Sequence, residues 1–405
     1  MNLVTLNANA IQLGEPLPFA LRNSSGLVLA PKGYVFQSRA ELDELEAKGV
    51  TLCIDSEESA ESVRLYRAEL DRMMRSAETS LADIASLTIK KSEKPAPVNE
   101  ARDTRPGFPD WTSMQVRATK LLRAPERLDF IEQFSALHQE LLRACIQAPD
   151  ATTLALIFLS AKETRMYSAT HAMLVSCVCM MASHETLRWP KEKVVQVGRA
   201  ALSMNIAMTE LQDQLVNQAK PLTETQAAAV ESHSERSASL LRDLGVQDPV
   251  WLDAVRIHHH RMPGELASKT DSQQMARLIQ RADVFAARLA PRIARSPMPV
   301  TAAMQASYYD ETKQVDQAGA AIVKTLGIYP PGSFVRLASQ EIAIVLRRGA
   351  SANTPQVAVV VNREGMPTGE LIRRDTMNAT WKIAGVVAQK DLRVQISLER
   401  LLAQV

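Results

Sequence analysis

From Trp111 to about Leu326 the apolar residues recur at i, i+3 and i+4 in segment after segment, which leaves little but helix packed on helix. RLDFIEQFSALHQELLRACIQ carries one apolar face. ATTLALIFLSAK and ATHAMLVSCVCMMASH are apolar nearly all round, as helices buried in a core are. KEKVVQVGRAALSMNIAM, ETQAAAVESHSERSASLLRDLG, PVWLDAVRIHHHR and SQQMARLIQRADVFAARLAPR follow. The most apolar runs, Thr153–Ala161 and Ala172–Ala182, are about half the ~20 residues that span a bilayer, so no membrane insertion is expected. The chain has no G-x-G-x-x-G, no Walker loop and no exposed nucleophile elbow. The fold class expected is mainly α, a helical bundle over residues 111–330.

The flanks read differently. Residues 1–56 form a β-containing module in which FALRN and GLVLA are punctuated by Pro16, Pro18, Gly26, Pro31 and Gly33. Ser38–Gly49 is expected as a helix with a Ser cap and a Gly stop, and VTLCID as a strand. Residues 57–89 read as a charged helix. Residues 90–110, with four prolines among charges, read as a flexible linker. Residues 331–405 make a small β appendage, a barrel-like cap or a three- to four-stranded sheet, from EIAIVLRR, PQVAVVVNREG and DLRVQISL. A net charge of +2 over 405 residues gives no field that points to nucleic acid. Four cysteines without a paired framework and an N-terminus without an export signal make the cytoplasm the expected compartment.

Seven histidines are present, and His258, His259 and His260 are adjacent, just before a Pro263-Gly264 stop. Alone they fit a cationic helix end. In chain order, however, His171, His233, His258, His259 and Asp283 fall on different predicted helices or helix ends, except for the adjacent pair His258-His259. Bundle cores build metal sites from such inward side chains, and imidazoles with a carboxylate suit iron, manganese or zinc. A polar core satisfied by hydrogen bonds is the alternative.

These residues also carry a resemblance. YSATHAMLV, the histidine at 233, the HHH-R-x-x-G run, RLIQRADVFAARLAPR and LGIYPPGSFVRL resemble the HD-GYP family over roughly Trp111–Leu337. Those bacterial proteins hydrolyse cyclic di-GMP on a two- or three-metal site, so the resemblance implies an HD-type helical bundle. It also implies metal ligands at His171, His233, His258, His259 and Asp283, and phosphate contacts at Arg292 and Arg295. The family's His-Asp falls on Met204-Asn205 and its following lysine on Met208, while its Gly-Tyr-Pro is absent after Gly264. A two-metal site needs a bridging carboxylate. Asn205 is neutral, Met204 is a soft thioether, and Met208 removes a cation that could stabilise phosphoryl charge. Arg292 and Arg295, three apart, would share a face if helical, either to hold a dianionic ligand or as a solvated basic face.

The expectation is therefore a degenerate HD-GYP-type protein of bacterial cyclic di-GMP signalling, a ligand sensor or scaffold with hydrolysis lost or strongly reduced. The alternative is a metal-dependent phosphohydrolase with a rearranged site that recruits His260 or Glu163. The expected cofactor is one divalent metal ion, iron or manganese, or none. Cyclic di-GMP and protein partners are the expected company.

Overall fold

In a computed structural model the chain divides into two compact units, residues 1–102 and 103–405. The structure describes residues 3–5, 11, 17, 20–23, 28–30, 34, 36 and 52–55 of the first. It describes 109–405 of the second except 126–128, 162–163, 294–296, 389–391, 393 and 395. The helices expected at Ser38–Gly49 and 57–89, and all of the expected linker except Pro109 and Asp110, lie outside the described residues.

The described part of the first unit is a four-stranded antiparallel sheet. Its strands are β1 (Leu3–Thr5), β2 (Leu21–Arg22), β3 (Val28–Ala30) and β4 (Cys53–Asp55), in the order β1-β4-β2-β3. The β-containing module expected there is present, and VTLCID supplies β4.

The second unit is built of helices α1 (Trp111–Arg123), α2 (Phe130–Gln147), α3 (Pro149–Ser160), α4 (Tyr167–Met181) and α5 (Lys191–Ser203). A 3-10 turn at Ile206–Met208 leads to α6 (Thr209–Val216), α7 (Glu224–Glu231), α8 (His233–Asp243) and α9 (Pro249–Ile257). Then come α10 (Asp271–Leu289), α11 (Val300–Tyr308) and α12 (Gln317–Leu326). Every residue of α4 is buried, as its all-round apolarity predicts. It packs on α5 across Gly198, where an added Cβ would lie 2.6 Å from His138 and Met180. No helix among the described residues is long and apolar enough to cross a membrane.

ETQAAAVESHSERSASLLRDLG reads as one helix in the sequence but forms two, α7 and α8, which meet at Ser232-His233. The His233 ring bonds the Val230 carbonyl, and the Ser232 hydroxyl donates to that of Ala228. Both acceptors belong to the helix ladder, and competition for them favours a break.

The C-terminal strands are β5 (Phe334–Leu337), β6 (Ile342–Arg347), β7 (Gln356–Val361), β8 (Pro367–Asp375) and β9 (Ile383–Val387). They form one antiparallel sheet in the order β8-β7-β6-β5-β9, one strand more than expected. DLRVQISL supplies no described strand: Leu392, Val394 and Ile396 pack on the bundle without strand pairing. The central strands are apolar on both faces because both are covered. Phe334, Ile344, Leu346, Ala358 and Val360 join the helical core, while Val335, Val345, Val357 and Val359 form a second cluster beneath Trp381. α13 (Leu398–Leu402) closes the chain against α3.

Two contacts fix the sheet to the bundle. Gly332, at φ +94°, brings its backbone so close to α3 that a Cβ would lie 3.0 Å from Ile157. Arg348, just after β6, bonds Asp150 at 2.5 Å, Glu185 at 2.7 Å and the Thr325 carbonyl at 2.7 Å.

Candidate metal centre

Four helical elements deliver the candidate ligands. His171 lies one turn into α4, His233 opens α8, His258 caps α9 with His259 behind it, and Asp283 sits on α10. α9 packs against α8, α10 and α5, and α4 against α5 and α10, so these positions converge. The start of α4 is held by Asp213 of α6. Its carboxylate accepts from the Ser168 N–H (2.7 Å), the Ser168 hydroxyl (2.8 Å) and Arg123 (2.8 and 3.1 Å). On α10, Arg277 pairs with Asp316 and Glu311, and Gln280 reaches the His260 carbonyl at 3.5 Å.

Three imidazoles meet at their Nε2 atoms. That of His233 lies 3.3 Å from that of His258 and 3.2 Å from that of His259. The Nδ1 of His233 faces the Val230 carbonyl at 2.5 Å, and that of His258 faces the Val255 carbonyl at 2.6 Å. A carbonyl only accepts, so both Nδ1 atoms carry the hydrogen and both Nε2 atoms present lone pairs. Lone pairs at this separation repel unless a cation stands between them. Donating the other ring N–H to a carbonyl is how metal-binding histidines are oriented. Ligand atoms of all three residues lie within 4.8 Å of one another. Burial, then the neighbouring His259, pushes His258 down to about 3. Burial also lowers His233 against the pull of the Val230 carbonyl, with His259 and Arg236 lowering it further. His233 and His258 therefore stay neutral near pH 7, the state in which histidine binds metal.

His171 and Asp283 form an adjacent pair. The His171 Nε2 donates to the Asp283 carboxylate at 2.7 Å. Burial alone would raise Asp283, but the hydrogen bond from the His171 ring holds it well below the usual carboxylate range. On the other side of the His171 ring, the Tyr167 hydroxyl lies 3.4 Å from Nδ1, and Arg292 Nη2 lies 3.3 Å from that hydroxyl. The polarity is consistent along the chain: Arg292 donates to Tyr167, Tyr167 to His171, and His171 to Asp283. Tyr167 was not singled out in the sequence, although its place four residues before His171 puts both on one helix face.

The remaining positions are less involved. Met204 is wholly buried at the end of α5, and Asn205 is buried with its amide oxygen lacking a hydrogen-bond partner. Met208 is half-buried and lines a cleft of about 680 Å³ together with Arg123, Glu210, Arg236 and Asp243. His260 is exposed and stands outside the three-histidine cluster. Glu163 and Arg295 lie outside the described residues. The helix face expected to carry Arg292 and Arg295 does not form: α10 stops at Leu289, because Pro291 forces Ala290 into an extended conformation. Arg292 follows in a loop anchored by the Ile293 N–H on the Val216 carbonyl at 3.0 Å.

The donor set fits a divalent transition metal. Three imidazoles with a carboxylate at their flank suit iron, zinc or manganese better than a hard alkaline-earth ion.

No family model matches the chain. Among curated proteins it is similar to a cyclic di-GMP phosphodiesterase of Pseudomonas aeruginosa, 25% identical over 335 residues that cover 81% of this chain and 77% of that protein. Among solved structures, an HDG"Y"P protein from Bdellovibrio bacteriovorus aligns over 80% of this chain and 99% of its own, at 13% identity and a TM-score of 0.42. The relationship in sequence to a cyclic di-GMP phosphodiesterase accords with the resemblance drawn from the motifs.

Proposed function

We propose that the chain is an HD-GYP-type protein of bacterial cyclic di-GMP signalling that senses the ligand or acts as a scaffold for protein partners, with hydrolysis lost or strongly reduced. The observation that carries this reading is the pairing of a three-histidine cluster with Met204 and Asn205 at the positions where the resembled family has His-Asp. His233, His258 and His259 would hold one divalent metal ion, which when bound polarises a phosphoryl oxygen as a Lewis acid. A second ion would need a carboxylate bridge, and the neutral Asn205 amide cannot offset two dications. Asp283, already engaged by His171, orients that ring and balances charge beside the cluster. Arg292 and Arg295 would attract the ligand's phosphates. The similarity to a cyclic di-GMP phosphodiesterase supports the choice of ligand.

The test is to supply purified protein with iron or manganese and measure metal content, cyclic di-GMP binding and turnover together. We expect about one metal per chain, micromolar-range binding and no hydrolysis above a metal-only blank. Turnover abolished by His258→Ala would instead establish a metal-dependent phosphohydrolase with a rearranged site. Absence of binding with and without metal would leave only the scaffold.

A further inference from the structure

We propose that Arg236 is a phosphate-binding residue of the cleft that Met208 lines, a role that rests on the cyclic di-GMP reading above. The cleft lies between the Ile206–Met208 turn with the start of α6 on one side and a flank of α8 on the other. Its volume of about 680 Å³ is that of a small-molecule site. His233 and Arg236 are three apart on α8, so one helix face carries both the ring of the cluster and the guanidinium of the cleft.

The cleft holds two arginines, and they differ in availability. Arg123 commits Nε and Nη2 to Asp213 and the Arg165 carbonyl. Arg236 is exposed and makes no ion pair with any described carboxylate. Two acids also line the cleft, Glu210 at the start of α6 and Asp243 on α8. Asp243 lies seven residues beyond Arg236, about two turns or ~10 Å along the helix. Along α8, then, the unpaired cation stands at the histidine end and the carboxylate at the far end. A phosphodiester entering at the histidine end meets a planar fork that matches two of its oxygens. Met208 lines the same space without charge, so a lysine at that position could return a cation to it.

Calorimetric titration with cyclic di-GMP, and separately with bis(4-nitrophenyl) phosphate, at low and moderate salt tests the assignment. Arg236→Ala should weaken cyclic di-GMP binding at least about tenfold and flatten its salt dependence, with circular dichroism unchanged. Met208→Lys added to Arg236→Ala should recover part of the loss. Affinity of Arg236→Ala within twofold of wild type, or a loss that Met208→Lys leaves untouched, would overturn the proposal. Arg236-dependent binding of the simple phosphodiester without cyclic di-GMP binding would uphold Arg236 and defeat the sensor reading, leaving the scaffold. Binding of neither probe would defeat both the Arg236 site and the sensor reading.

Discussion

His138 is a buried imidazole away from the cluster, with no hydrogen-bond partner at Nε2. Burial, helped by the charge of Arg199, pushes it down to about 4 from the ordinary 6.5. The unfolded chain therefore takes up a proton more readily than the folded one. The stability this group contributes is complete above pH 6.5 and is lost as pH falls toward 4. Between pH 7 and 5 the loss is about 2 kcal/mol. Urea unfolding at both pH values should show His138→Leu losing that much less stability than wild type; equal losses would count against a neutral core histidine. Arg292 gives a second test at this scale. Charge-assisted contacts are each worth roughly 1.5–3 kcal/mol, so Arg292→Ala should weaken cyclic di-GMP binding by about one to two powers of ten, read by calorimetry. The histidine cluster was legible in the sequence because three rings are adjacent at a helix stop. The donor chain through Tyr167 was not, since it depends on Arg292 reaching a hydroxyl 125 positions earlier in the chain.

Among the elements, α4 depends on a neighbour for its placement. Its first turn has no side-chain cap, and Asp213 of α6 takes that role from a distance, bonding both the N–H and the hydroxyl of Ser168. Removing a largely buried carboxylate with several charge-assisted bonds costs about 3–5 kcal/mol. Because Arg123 is 38% exposed, its stranded charge stays partly solvated, and about 2–3 kcal/mol is the expected cost of Asp213→Ala. Urea denaturation would measure this, and metal uptake should fall as the start of α4 loosens beside His171. Unchanged stability would mean that the bonds add nothing net. Helices were legible where apolar spacing was strong. The break at Ser232-His233 was not, because local bonding from Ser232 and the His233 ring leaves the apolar pattern uninterrupted. The end of α10 is readable from Pro291, whereas the three-residue spacing of Arg292 and Arg295 suggests a shared face only if the helix runs on.

At the scale of the molecule, the boundary between the two compact units falls at residues 102 and 103, inside the stretch 90–110 whose composition suggests a linker. Limited proteolysis should cut first within 90–110 and release a C-terminal fragment that keeps its helical circular dichroism and its metal uptake. A first cut within 151–295 would contradict this division. The change in character from helix to strand near residue 331 was plain in the sequence, but it is a change of secondary structure inside one compact unit. What joins the two parts is long-range and has no local signature: Arg348 reaches Asp150 and Glu185 from 198 and 163 positions away. That single guanidinium has a consequence for how such a chain can be exchanged between proteins. A helical part transferred without its sheet would carry two facing carboxylates with no cation between them, and an Ile157 flank stripped of the Gly332 backbone that covers it. Recombination that preserves the fold must therefore move residues 103–405 as one cassette, and a junction placed at the visible change from helix to strand would break it.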